Sequence, residues 1–405
     1  MKRPFENIRI VDLTRVLAGP YSTYQLALLG ADVIRVEQPG RDDFVRFGGG
    51  DAELAAAGMG PGFLAQNANK QSIAVNLKDP RGKEIVRALA AAADVLTENF
   101  RPGVMARLDL GAESLLELNP RLIYCAISGY GQDGPMAQRP AYDHVVQAVS
   151  GMMATNSDAS GRPWRVGFPM IDYVAGLSAA FAISSALFQR EHCGPEQKGG
   201  QIIDVAMMDA AVAIMAPAMA PYLQGITPPP RTGDKAASGS PFSGMFETTD
   251  GLLALAANAP AQGRSVAQAI GREDLIADPR FADWGGNGDY VAVVQDTLAA
   301  AFANASALEW EERLSPLGVP AGKVRGLAEI MDSDQLAARG MIHTVADPDL
   351  GRDYRVPGVG FKMAHDGAAV TAPPPRLGQN TDAVLAELGY DDDKIAELRS
   401  DNVVA

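Results

Sequence analysis

The chain has 405 residues, 47% of them hydrophobic and 21% charged, and a net charge of -14. That length exceeds one ordinary core, so two domains or one domain with a large insertion are expected, and nothing in the composition suggests disorder. The acidic balance excludes general nucleic-acid binding, because phosphates are repelled, but it leaves room for a local basic pocket. The two cysteines, Cys125 and Cys193, are too few for a disulfide framework and suit a reducing, cytoplasmic compartment. Four histidines without Cys or His neighbours at ligand spacing argue against a metal site. The N-terminal MKRPFENIRI has no apolar segment of the secretory kind. The most apolar long stretch, 205–223, is interrupted by Asp209, Pro217 and Pro221 and reads as a buried helix rather than a membrane span.

Ile8–Leu13 reads as a buried strand. A turn at Arg15–Gly19 follows, then a helix opened by Pro20 and closed by Gly30, then the strand Ala31–Glu37. This βαβ unit implies a parallel sheet. It lacks G-x-G-x-x-G, so a nicotinamide-dinucleotide site is poorly supported. Residues 40–65, rich in Gly and Ala, are expected as a long surface excursion. Ser72–Leu77 alternates as a half-buried strand does, and Asp79-Pro80 caps and opens a helix over 80–92. Strands are expected at Asp94–Phe100 and Arg121–Ser128. They run into Asn99-Phe100-Arg101-Pro102-Gly103 and Gly129–Pro135, and in an open α/β sheet ligands sit beyond such carboxyl ends. Further on come a helix over Tyr142–Thr155, a strand at Gln201–Val205 and a buried helix over Met207–Ala220. Pro228-Pro229-Pro230 marks a domain boundary. A smaller domain then holds a hairpin turning at Asp250-Gly251 and short helices between 261 and 315. Pro320–Val324 begins the return, and a final helix spans 380–389.

The stretch WRVGFPMIDYVAGLSAAFA, 164–182, stands apart. An apolar run delivers Asp172, and the small residues Ala175–Ala180 read as a helix able to pack closely against a neighbour. A carboxylate entering such a helix is costly to bury unless paired. From the local pattern, Asp172 is either a helix N-cap or a functional carboxylate.

The chain resembles the family III CoA-transferases (the CaiB/BaiF type), a group that includes α-methylacyl-CoA racemase. The likeness rests on LAGPYSTYQLALLGADVIRVEQPG (17–40), NANKQSIAVNLKDPRGKE (67–84), ENFRPGVMARLDLG (98–111), NPRLIYCAISGYGQDGP (119–135), AYDHVVQAVSG (141–151), the Asp172 segment and VPAGKV (319–324). It implies an α/β fold: a large Rossmann-like CoA-binding domain over 1–225 and 375–405, a small α+β domain over 226–325, and a return linker over 326–374. It further implies ring-shaped subunits interlocked as a homodimer, with acyl-CoA and carboxylic acids as substrates and no permanently bound cofactor.

By the same resemblance Asp172 is the nucleophile, forming an aspartyl mixed anhydride and then an aspartyl-CoA thioester. Val16 and Ala18 line the thioester end, Asn99, Phe100 and Arg107 hold CoA further along, and Tyr142 sits near the thioester. Arg101, Arg107, Lys70 and Arg139 are candidate phosphate partners, as local cations on an acidic protein. Two departures stand out. Gln38 replaces a basic residue that helps bind the nucleotide end in several members. A glycine run that closes the site in formyl-CoA transferase is replaced by Lys235–Ser240, within the expected lid at 232–244.

Racemisation is the nearest rival, but it needs two bases. The racemase histidine falls at Tyr142, whose reference pKa of about 10 unfits it for the role, and His144 is turned to another helix face. A non-catalytic acyl-CoA binding protein is a second rival, opposed by the retained Asp172. For the acyl group, Arg46 and Arg165 are candidate partners of a second substrate carboxylate, as transfer within a dicarboxylate such as mesaconate would require.

Overall fold

The computed structural model describes residues 2–40, 43–158, 160–193, 199–227, 233, 239–283 and 288–405. Pro228–Pro230 and Lys235–Ser238, part of the expected boundary and lid, lie outside them. The chain divides into two compact units, one of Met1–Met152, Arg165–Ile226 and Gln335–Ala405, the other of Met153–Trp164 and Thr227–Asp334.

The first unit is built on a parallel sheet of six strands: β1 Arg9–Asp12, β2 Asp32–Glu37, β3 Lys70–Ala74, β4 Val95–Glu98, β5 Ile123–Ser128 and β6 Gln201–Ala206, in the order β3-β2-β1-β4-β5-β6. The inner strands are buried on both faces, as helix-covered parallel strands must be, and they carry the buried charges Asp12, Arg35, Glu37 and Glu98 among apolar residues. The chain runs outward from β1 through β2 to β3, then returns to the other side of β1 as β4. The loops after β1 and β4 therefore diverge, leaving the crevice at which open α/β sheets bind ligands.

One face is covered by the first helix, Ala18–Leu28, and the long helix Met170–Glu191. Ile171, Ala175, Ala179 and Ile183 recur every fourth residue and are fully buried. By length and composition alone this long helix could cross a membrane; here its apolar stripe is the centre of the core. Its small residues permit close approach, since a Cβ added at Gly176 would lie 2.6 Å from the Ala18 carbonyl oxygen. The other face is covered by Pro80–Ala92 and by the C-terminal helices Thr381–Glu387 and Asp392–Ser400, through Ile85, Leu89, Leu385 and Leu398.

Four expectations are corrected. Over the described residues 43–65, the expected surface excursion is not seen. They form short helical turns anchored by Arg46, which is 1% exposed and lies 3.6 Å from the centre of the Phe63 ring. The helix over 142–155 breaks at Gly151, whose φ of +86 suits glycine, into Asp143–Val149 and Met152–Thr155. The segment 207–220 is two helices, Met207–Ile214 and Ala216–Leu223; the second buries no residue and exposes Tyr222 and Leu223. The expected return linker carries an antiparallel hairpin, β10 Ile342–Asp347 and β11 Arg352–Pro357. Its Tyr354 and Val356 pack with Tyr24, Leu28 and Phe63.

The second unit holds the antiparallel sheet of β7 Ser243–Glu247, β8 Leu252–Ala256 and β9 Ala321–Lys323, with its first turn at Asp250-Gly251. Phe246, Phe302 and Trp310 stack edge to face beneath it, and the Trp310 ring N–H donates to the Phe302 carbonyl.

Candidate active site

A cavity of about 520 Å³ opens at the divergence of the β1 and β4 loops. Its wall draws on Arg15–Ala18, Asn99–Pro102 and Val104, Ile127–Gly129, Ala137, Arg139–Tyr142, Asp172 and Met207. The sheet thus brings together Val16, Ala18, Asn99, Phe100, Arg101, Arg139, Tyr142 and Asp172 from segments far apart in sequence.

Asp172 is half-buried in the first turn of the helix Met170–Glu191. It is not the N-cap. Asp143 provides the cap from another helix: its Oδ2 accepts the Ile171 N–H at 2.6 Å and the Asp172 N–H at 3.2 Å. The other Asp143 oxygen accepts the Gln147 amide at 2.6 Å, and Gln147 accepts the Val166 N–H at 2.9 Å. With its helix end capped, the Asp172 carboxylate is left facing the cavity. Burial, and then the nearby charge of Asp143, push it up to about 7. Sequence reading missed Asp143 because its distance along the chain hides the contact. The signal was an acidic residue opening the helix next to Tyr142.

Val16 adopts a left-handed conformation, φ +69, which is strained for a β-branched residue. Asn99 is placed at the cavity, but both ends of its amide serve the loop. Its Oδ1 accepts the Arg15 N–H at 2.9 Å, and its Nδ2 donates to the Arg15 carbonyl at 2.8 Å. Phe100 offers a flat wall, with the Arg15 guanidinium 5.0 Å from its ring centre. Arg101, Arg139 and Tyr142 are exposed at the cavity, the tyrosine by 62%.

Two expected phosphate partners are placed elsewhere. Lys70 is buried, its ammonium 3.1 Å from Asp12 and 2.8 Å from both the Pro20 carbonyl and the Thr23 hydroxyl. An ammonium enclosed in this way cannot reach a ligand phosphate. Arg107 is exposed but outside the cavity wall, its guanidinium folded back towards Gly103. Arg46 is corrected as a partner of a substrate carboxylate, because its guanidinium is buried on Glu37 at 2.7 and 2.5 Å. Arg165 and His144 are exposed and do not line the cavity. Gln38 lines a second cavity of about 280 Å³, which shares Arg15 and Phe100 with the first, and Lys78 supplies a cation there that sequence reading had not singled out.

The chain matches the model of CoA-transferase family III over residues 5–381. It is 36% identical over 403 residues to succinyl-CoA:glutarate CoA-transferase of Mus musculus, covering 99% of this chain and 90% of that protein. It is 37% identical over 348 residues to acetyl-CoA:oxalate CoA-transferase of Acetobacter aceti, covering 84% of this chain and 86% of that one. The crystal structure of a CAIB/BAIF family protein from Brucella suis superposes with a TM-score of 0.82 at 31% identity, covering 96% of this chain and all of that one. On that likeness, carried over nearly its whole length, the chain belongs to CoA-transferase family III and is a transferase enzyme.

Proposed function

We propose that the protein moves CoA from an acyl-CoA donor to a small carboxylic acid through Asp172. The observation that carries this reading is the Asp172 carboxylate, freed from helix capping by Asp143 and turned into the cavity at the sheet's crevice. Relatives named for glutarate and oxalate support small dicarboxylates as acceptors.

Ionised Asp172 attacks the donor thioester carbonyl, forming an acyl-aspartyl anhydride and releasing CoA thiolate. The thiolate attacks the aspartyl carbonyl, giving an aspartyl-CoA thioester and the free donor acid. The acceptor carboxylate attacks that thioester, forming a new anhydride and releasing the thiolate again. The thiolate attacks the acceptor's carbonyl, yielding the new acyl-CoA and restoring the Asp172 carboxylate. Each step passes one acyl group between comparably reactive partners, which is the advantage of covalent catalysis. Phe100, Arg101 and Arg139, which line the cavity, are proposed to receive CoA, and Lys78 at the second cavity is a candidate cation for its phosphates. Transfer within one dicarboxylate uses the same steps.

Racemisation is disfavoured because neither a histidine nor a carboxylate besides Asp172 is among the described residues that line the cavity. The interlocked homodimer belongs to this proposal too. Leu177, Phe181 and Phe188, exposed along the Asp172 helix, support a partner surface there, and light scattering should give twice the chain mass of 42.6 kDa.

The test is incubation with a panel of acyl-CoA donors, succinyl-CoA included, and free mono- and dicarboxylic acids. Mass spectrometry follows new CoA esters and mass added to the Asp172 peptide. Exchange together with an Asp172 adduct is the expected result. Exchange that survives Asp172→Ala overturns the mechanism, and deuterium gained at the α-carbon without exchange moves the protein to racemisation.

A further inference from the structure

Val16 lies at the mouth of the cavity in a backbone region that a β-branched L residue avoids, so something must hold it there. Its peptide groups are held from two sides by side chains that line no part of that cavity. The Val16 N–H donates to Asp43 Oδ2 at 3.3 Å, and the Gln66 Nε2 donates to the Val16 carbonyl at 2.7 Å. Both side chains are buried, Asp43 6% exposed and Gln66 fully enclosed. Asp43 is itself fixed by Arg35 at 2.5 Å and by the Val45 N–H at 3.3 Å. Gln66 has no comparable second duty: its Oε1 is buried with no hydrogen-bond partner. A buried amide that leaves its acceptor unpaired while donating to one loop carbonyl contributes little to the fold by that arrangement.

We infer that Gln66, with Asp43, is a positioning residue for CoA: it holds Val16 left-handed so that the Arg15–Ala18 loop is already shaped for the ligand. This rests on the CoA-transferase reading of the cavity. Neither residue touches the reacting atoms. They act through the Val16 backbone, and the ligand is thereby spared the cost of forcing the turn when it binds.

Gln66→Leu is the test, read by calorimetric titration with CoA, which needs no turnover, and by thermal melting. Leucine removes the donor and the unpaired acceptor together, so the melting temperature should hold or rise. The dissociation constant for CoA should rise roughly tenfold, the order of the penalty for placing one L residue in the left-handed region. The same substitution is made in a Val16→Gly background, where glycine enters that region without steric cost. There its effect on CoA binding should shrink to about twofold or less by the same reasoning. Parental CoA affinity in Gln66→Leu, or an equal weakening in both backgrounds, overturns the inference while leaving the transferase reading intact. A parent protein that binds no CoA overturns both. A melting temperature that falls together with affinity, equally in both backgrounds, makes Gln66 an ordinary core residue and also overturns the inference.

Discussion

The Asp143 carboxylate caps the helix whose first turn carries Asp172, at 2.6 Å from the Ile171 N–H and 3.2 Å from the Asp172 N–H. One acid answers the positive end of the helix and leaves the other facing the cavity. Asp143→Ala should lower stability by about 1–2 kcal/mol, the usual range for a lost cap. If Asp172 acts as proposed, the same substitution should also reduce kcat by roughly tenfold or more, since each 1.36 kcal/mol added to the barrier is worth that factor. Asp143→Asn keeps an acceptor and removes a charge. It should recover most of the melting temperature and move the titration of Asp172 to lower pH, because the like charge is gone. Thermal melts and pH–rate profiles of both variants check this, and an unshifted profile in the Asn variant removes the electrostatic part.

The pH dependence of the parent follows from Asp172 at about 7. In the proposed mechanism only the carboxylate attacks, so kcat/KM should rise with pH through about 7 and level off above it. Stability runs the other way. The folded protein holds the Asp172 proton more tightly than the unfolded chain does, so ionising it removes stability as pH climbs from the ordinary aspartate range through about 7. Asp172→Asn should therefore gain more melting temperature over the parent at pH 8 than at pH 5. A gain that does not vary with pH would contradict the raised titration.

Gly176 sets the distance between the helix that carries Asp172 and the Ala18 end of the cavity loop. A Cβ there would meet the Ala18 carbonyl oxygen at 2.6 Å, and backbone must shift to admit it. Gly176→Ala should cost about 1–3 kcal/mol, as overpacking does. It should also raise KM for acyl-CoA, since Ala18 lines the cavity with Asp172. Denaturant titration and steady-state kinetics measure the two effects.

The cations divide into a buried set and one exposed on the cavity. Lys70→Met leaves the buried Asp12 carboxylate without its ion-pair partner and should destabilise by ~3–5 kcal/mol. Arg46→Ala should likewise lower the melting temperature by removing one of the two guanidiniums paired with the buried Glu37, with no selective effect on dicarboxylates. Arg139→Ala, at an exposed position on the cavity, should leave the melting temperature unchanged and raise KM for acyl-CoA. That rise should diminish as salt is added, because exposed charges are screened. Melts and kinetics at two ionic strengths separate the sets.

The sequence by itself determined the parts of the protein that depend on neighbours along the chain. The helix Pro80–Ala92 follows from Asp79-Pro80 and an apolar stripe, and the Asp250-Gly251 hairpin from its turn residues. The runs of β1 and β2 separated by one helix announce a parallel sheet, and the motif around Asp172 marks the nucleophile candidate in advance. Tertiary structure decided which charges were free. Lys70, Arg46 and Arg139 look alike in sequence, but the fold encloses the first two with carboxylates from other strands, and desolvation gives them a structural duty. The helical break at Gly151 and the left-handed Val16 were likewise invisible to periodicity, because each is a local conformation fixed by its surroundings. The same is true of the pair that matters most. Asp143 and Asp172 lie 29 residues apart, and no spacing rule joins them. Only the packing of two helices at the end of the sheet makes one carboxylate the cap and leaves the other facing the cavity.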